Sequence, residues 1–423
     1  MTASARLRGD DLARRLCFRL FSNIADERIE VLQDGRRFAF GPPEASLRAQ
    51  VTVHDPGVWR GLLRGSTGMA ETYMAGDWYA DDLLALIRIG ARNMRGLDRA
   101  RQRWRNVLVP AQRLGRLVPE NDLLGAKRNI SAHYDLGNDL FSLFLDPSMM
   151  YSCAYFETPE ATLAEAQEAK LERICTALAL TPDDHLLEIG TGWGALAVHA
   201  AGRYGCRVTT TTISTEQHRL AGDRIRAAGL EDRVEVRLED YRDLTGRYDK
   251  LVSIEMIEAV GWQYFPEYFR RASELLTPEG LMLLQAITID DRAYEGEKSS
   301  RSFINKYIFP GGCLPSLETI ARETARETDM QTVWLEDITA HYGETLARWR
   351  EGFAASEHRA AAMGYDQRFR RMWELYLCYV EAGFRERRIG DVQMLFAKPE
   401  WRGQLGSGQR TGAPAELRTA ALG

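Results

Sequence analysis

In the second half of the chain, short apolar runs alternate with stretches of helical period. The runs cover residues 186–189, 207–213, 234–238, 250–254 and 281–287. Runs of this length predict strands. Strands that alternate with helices predict a parallel sheet covered on both faces. The expected fold is therefore α/β, a doubly wound, mostly parallel, Rossmann-like sheet over 131–400. In such a sheet the ligand lies beyond the carboxyl ends of the strands.

The first ninety residues are patterned differently. Residues 13–21 predict a helix with Leu12, Leu16 and Leu20 on one face. Residues 29–32 and 37–40 flank Asp34-Gly35, a hairpin signal, and 47–54 alternates as another strand. Tyr73 and Trp78, within 68–78, read as packing of a small core. The division is a smaller N-terminal α+β domain (1–90), a linker (91–130), the large domain (131–400) and a tail (401–423). The tail is rich in Gly, Ser, Ala and Thr and is expected to be disordered.

Composition adds limits. The 423 residues are 45% hydrophobic and 27% charged, ordinary for a globular protein of two or three domains. A net charge of −5 argues against general nucleic-acid binding. No apolar run approaches the roughly 20 residues that span a bilayer, and residues 1–11 lack an apolar h-region, so no secretory signal is expected. Cys17, Cys153, Cys175, Cys206, Cys313 and Cys378 lack CxxC spacing. They read as free thiols of a reducing cytosol, with no metal site. One segment stands apart. Between Arg92 and Arg128 basic residues far outnumber Asp98, Glu120 and Asp122. It reads either as a solvated linker helix or as a contact with anionic lipid headgroups.

The first strand runs into Gly190-Thr191-Gly192-Trp193-Gly194, and a helical pattern follows. Glycines there let backbone approach a ligand, and the helix start offers free N–H groups. A nicotinamide enzyme needs an acid at the end of the second strand. Here 208–214 reads Val-Thr-Thr-Thr-Thr-Ile-Ser, and Ser214 with Gln217 has capping-box spacing. The third strand ends in Glu239-Asp240-Tyr241. An acid and an aromatic there suit an adenine, which favours S-adenosylmethionine over NAD. Glu188, inside the first strand, requires a buried partner.

Several stretches together resemble one family. They are His133-Tyr134-Asp135-Leu136-Gly137-Asn138-Asp139, Tyr151-Ser152-Cys153-Ala154-Tyr155-Phe156, the Gly190 turn, Thr212-Ile213-Ser214-Thr215-Glu216-Gln217 and Asp240-Tyr241-Arg242-Asp243-Leu244. Glu255-Met256-Ile257-Glu258-Ala259-Val260-Gly261 and residues 306–316, Lys-Tyr-Ile-Phe-Pro-Gly-Gly-Cys-Leu-Pro-Ser, complete the set. The chain is similar in these to the cyclopropane fatty acid synthases and mycolic acid methyltransferases. The resemblance implies a class I methyltransferase fold. It also implies methyl transfer from S-adenosylmethionine to a cis double bond of a phospholipid acyl chain, with bicarbonate as base. The cation formed must be kept from water. It further implies a cytoplasmic enzyme, a homodimer, reversibly docked on the inner face of an anionic membrane.

Carried over by position, Tyr151, Ser152, Glu188, Gly190, Gly192, Gly194, Thr212, Gln217, Asp240 and Tyr241 line the S-adenosylmethionine pocket. Cys153, Glu258, Gln285, Ile287 and Tyr307 lie at the bicarbonate and methyl-transfer end. His133 reads equally as a site residue or as a packing or helix-capping one.

Three positions depart from the family pattern. Ala259 follows the glutamate where many members have His, Gln285 stands for a His in the later strand, and Val380 for a Cys. Gln can hydrogen-bond bicarbonate but cannot relay its proton. A methyl-branched or methylene product, a small-molecule methyltransferase and a non-enzymatic lipid-binding protein therefore stay open.

Overall fold

The computed structural model describes residues 3–103, 137–298 and 300–403. The chain forms two compact units that are not consecutive in sequence. Described residues before 104 group with 300–310 and 349–388; the second unit holds 137–298, 311–348 and 389–403.

In the first unit four strands order as β2-β1-β3-β4. β1 (Arg28–Gln33) and β2 (Arg36–Phe40) form the antiparallel hairpin expected from Asp34-Gly35. Both turn residues have positive φ, 51° and 72°, which a two-residue hairpin turn requires. β3 (Arg48–Val53) runs parallel to β1, and β4 (Trp78–Ala80) pairs antiparallel with β3. The helix Ala3–Phe21 buries Ala13 and Cys17, and Phe18 packs on Phe38, Phe40 and Trp59. Its leucines share a face, but that face is outward. Leu12, Leu16 and Leu20 are 61, 46 and 50% exposed.

The C-terminal helix Gln367–Arg385 joins this unit through specific bonds. Arg371 donates to the carbonyls of Tyr73 and Trp78, and Tyr73 donates to Glu374 at 2.7 Å. Tyr73 and Trp78 are buried, as core packing required. Glu386, just past the helix, takes Arg88 and Arg92, each at 2.7 Å. Arg92, the first cation of the basic segment, is thus spent on an internal ion pair. The rest of that segment from Arg95, most of the His133 motif and the tail beyond Gly403 lie outside the residues whose side chains are described.

The second unit is a seven-stranded sheet of order β10-β11-β9-β8-β5-β6-β7. β5 (His185–Ile189), β6 (Arg207–Thr212), β7 (Val234–Leu238), β8 (Tyr248–Ile254) and β9 (Leu276–Ile289) are mutually parallel. β10 (Gln331–Asp337) and β11 (Ile389–Ala397) add an antiparallel edge. The expected sheet is therefore present. Alternate residues feed two cores, one on each face: Leu187, Leu251 and Leu284 on one side, Leu186, Val252 and Leu283 on the other. Strand order reverses between β5 and β8, so their carboxyl ends open a crevice at the switch point.

Candidate functional site

The turn after β5 lies at this switch point. Gly190 and Thr191 both donate their N–H to the Thr211 carbonyl. Gly190, Gly192 and Gly194 have φ of 103°, 53° and 86°. A Cβ on Gly194 would stand 3.1 Å from that of Ala221, so close helix packing demands glycine there. A Cβ on Gly192 would meet nothing within 4 Å. Gly192 therefore presents backbone to open space, where a ligand can approach.

Neighbouring side chains brace the turn. Trp193 donates to Asn138 at 2.7 Å, and Phe141 packs on both Trp193 and Tyr151. Glu188 has the partner it needs: Thr210 donates to it at 2.6 Å. Burial still pushes its pKa up to about 8. Thr212 donates to Gln217 Oε1 at 2.7 Å, and Ser214 caps the helix Thr215–Ala227 through the Gln217 N–H. The Ser214 N–H goes to Thr212, so the reciprocal half of a capping box is absent there. Asp240 gives both oxygens to Arg242, each at 2.8 Å. Tyr241 is buried edge-on against Tyr268. These two support the end of β7 instead of offering a free acceptor and an open ring.

The second part of the site is a buried acidic centre at the ends of β8, β9 and β11. Cys153, Gln285, Asp391 and Lys170 are sealed from solvent, whereas Glu255 and Glu258 keep accessible surface. The Ile287 N–H donates to Glu258 Oε1 at 2.5 Å. Glu258 Oε2 is buried with no hydrogen-bond partner. Burial first, and then the Glu255 charge, push the Glu258 carboxyl up to about 8. The Cys153 thiol donates to the Ala154 carbonyl, and burial pushes it far up, so it stays a thiol.

Four residues that sequence reasoning left unassigned complete this centre. Glu255 accepts from Tyr342 Oη at 2.6 Å, from the Cys153 N–H at 2.8 Å and from Gln285 Nε2 at 2.8 Å. Gln285 Nε2 also reaches Asp391 Oδ2 at 3.2 Å. Lys170 donates to Ser152 Oγ at 2.7 Å, and burial brings its pKa down to about 8. Glu255 could have been found: it lies three residues before Glu258, one past a strand end. Asp391 interrupts an apolar strand, also a readable sign.

Of the residues assigned to methyl transfer, Cys153, Glu258, Gln285 and Ile287 come together here. Tyr307 belongs to the first unit, where its hydroxyl donates to Glu71 Oε1 at 3.1 Å beside Lys306. Val380 and the buried Cys378 lie in the helix Gln367–Arg385 of that same unit. All six cysteines are buried free thiols. Among the described residues no cluster has the makings of a metal site, and no helix is long and apolar enough to cross a membrane.

Comparison with known proteins gives this arrangement a context. The family model described as mycolic acid cyclopropane synthetase matches residues 122–394. A tuberculostearic acid methyltransferase of Mycobacterium tuberculosis is 43% identical, over 76% of this chain and 76% of its own. A cyclopropane-fatty-acyl-phospholipid synthase of Escherichia coli is 37% identical over 84% and 89%. Among solved structures, a mycolic acid cyclopropane synthase complexed with SAH and CTAB is 31% identical. It superposes with a TM-score of 0.60, covering 64% of this chain and 98% of that one.

Proposed function

Because the chain belongs to the mycolic acid cyclopropane synthetase family, we propose that it transfers a one-carbon group from S-adenosylmethionine to the cis double bond of an unsaturated phospholipid acyl chain, forming a cyclopropane. The observation that carries this reading is the buried acidic centre beside the glycine turn. An alkene offers no charge to a binding site, whereas the cation formed on methylation does. The centre supplies the match: Glu255, whose carboxylate is held by three donors, brings the negative charge, and Glu258 leaves a carboxyl oxygen unpaired inside the protein.

The turn suits the methyl donor. Gly192 leaves room against the backbone, and Tyr151, Ser152, Gly190, Gly194, Thr212 and Gln217 would complete the pocket. S-adenosylmethionine supplies an electrophilic methyl group on a sulfonium. The protein's own residues orient and shield. Phe141 and Trp193 wall the turn, and Lys170 holds Ser152 in place. The fit fails for bicarbonate. The Cys153 N–H and the Gln285 amide, which the resemblance would give it, are taken by Glu255. No step is therefore routed through that ion.

Docking on an anionic membrane surface has its own support. The exposed face of the helix Ala3–Phe21 carries Leu12, Leu16 and Leu20 with exposed Arg15 and Arg19 between them.

The 43% identity with a tuberculostearic acid methyltransferase favours a second reading of the product. The same transfer ends in a methylene chain if a hydride first shifts from the methylated carbon to the cationic one, and in a methyl-branched alkene if the proton leaves a chain carbon beside the cationic centre. Mass spectrometry of phospholipid fatty acids from cells expressing the protein tests both. A gain of one CH2 on monounsaturated chains supports the transfer. Resistance to further hydrogen uptake identifies cyclopropane, whereas uptake identifies methylene. Unchanged fatty acids overturn both readings.

A further inference from the structure

Glu255 is held as an anion would be held. Three donors from different elements converge on its carboxylate: Tyr342 from the helix Thr339–Ala355, Cys153 from the loop before the helix Leu163–Ala177, and Gln285 from β9. Its backbone has φ of +48°, a conformation costly for a side chain with a Cβ. Such strain persists only where surrounding contacts impose it. The residue that follows, Met256, lies against the turn: a Cβ on Gly190 would be 3.3 Å from Met256 Cγ. Glu255 is thus tied to the open end of the sheet.

A carboxylate and a bicarbonate present the same planar O–C–O edge to donors. Two of the groups that the resemblance assigns to bicarbonate are bonded to Glu255 instead. We propose that the Glu255 carboxylate occupies the place of the bicarbonate ion and is itself the base that ends the reaction proposed above, on which this inference rests. For the ring, the proton leaves the new methyl group, which is bonded to the carbon beside the cationic centre, and goes to a Glu255 oxygen; the C–H electron pair bonds the methyl carbon to the cationic carbon. For the methylene product a hydride first shifts from the methylated carbon to the cationic one; the methyl then loses its proton to Glu255, and the C–H pair forms the C=C bond. Glu255 becomes a neutral acid and returns its proton to water when the product leaves.

Four groups work toward an ionised Glu255: burial raises its pKa on balance, and Tyr342, Cys153, Lys170 and Gln285 hold that rise down. Asp391 shares the Gln285 amide and is completely buried; burial and then the Glu255 charge push it well above its ordinary value, so it is the carboxyl better suited to keep a proton. Glu258, the remaining acid of the centre, is pushed toward its neutral form. Position separates the candidates as well: Gln285 and Asp391 lie within β9 and β11, whereas Glu255 follows the last residue of β8, at the open end of the sheet.

The test uses full-length wild type, Glu255→Gly and Glu255→Gln in buffer freed of carbon dioxide. Glycine suits the positive φ and vacates the anion's place, whereas glutamine fills it without a base. Wild type is expected to turn over equally with and without bicarbonate. Both variants should lose about 100-fold or more, the usual contribution of a general base. Added bicarbonate should restore Glu255→Gly by about tenfold or more and leave Glu255→Gln unchanged. A second arm needs no turnover. Carbon-13-labelled bicarbonate, followed by NMR, should bind Glu255→Gly saturably and wild type not at all. Wild type that needs bicarbonate, or binds the labelled ion as tightly as Glu255→Gly, overturns the inference. Wild type without any lipid turnover rejects the proposed function instead, and the NMR arm still decides what occupies the anion site.

Discussion

Gln393 Nε2 donates to Gln285 Oε1 at 3.0 Å, between residues directly opposite on β9 and β11. This bond sets the direction of the Gln285 amide. With its oxygen held toward β11, its nitrogen faces both Glu255 and Asp391. A flipped amide would aim its oxygen at two carboxyls. Gln393→Leu should therefore leave a buried acceptor without this donor, at about 1–3 kcal/mol. The expected result is a lower melting temperature and a lower kcat, with methyl-donor binding unchanged. Thermal unfolding and isothermal titration check it; a variant that matches wild type in both denies the amide this role.

Glu258→Gln separates charge from shape. Its side-chain oxygen can still accept the Ile287 N–H, so the fold should survive. Turnover should fall by about 100-fold or more, as when one preorganised stabiliser is removed. Burial and the Glu255 charge push the Glu258 carboxyl up to about 8. If the carboxylate form is active, kcat rises with pH through that value, and the variant flattens the rise. Loss of methyl-donor binding instead would move Glu258 into the donor's pocket.

The sheet was legible because its strands are short apolar runs with clear helical spacing between them. The 190–194 turn was legible because three glycines follow one such run. Other features were not, for reasons of geometry. Leu12, Leu16 and Leu20 have core-like spacing, but the smaller Ala13 and Cys17 fit the close approach of the neighbouring helix and sheet. Asp240 suited an adenine by position, yet Arg242, two residues on, returns to clasp it. Gln285 read as a ligand of an ion. Its true partners, Glu255 and Asp391, lie 30 and 106 residues away, and only strand pairing brings them together. A chain read alone does not contain that register.

Glu188→Gln tests the one acid inside β5. Its folded pKa, near 8, lies above the ordinary 4.5. A raised carboxyl favours the fold while protonated, so its contribution is complete below pH 4.5 and is lost as pH rises through 8. Glutamine stays neutral throughout and can still accept from Thr210. The variant's stability relative to wild type should thus grow from pH 4.5 to 8 and then level off. Urea unfolding at a series of pH values measures this. A difference independent of pH would mean that Glu188 is ionised in the fold.

The outward leucines give the last prediction. On a helix, residues four apart stack along one face, so Leu12, Leu16 and Leu20 form a continuous apolar stripe. Arg15 and Arg19 flank it, and Asp11 is paired with Arg14 at 3.2 Å. Fully burying a leucine yields about 1.5–3 kcal/mol, and each of these already hides part of its surface. Replacing all three by Ser should therefore weaken binding to phosphatidylglycerol vesicles by roughly 100-fold or more. Arg15→Gln with Arg19→Gln should weaken it less, by about 1 kcal/mol per charge, and should weaken the salt dependence. These residues belong to the first unit and the glycine turn to the second, so methyl-donor affinity should stay at the wild-type value. Vesicle sedimentation with a titration of the donor reads both quantities. Equal sedimentation of wild type and the triple variant would remove this helix from the docking surface.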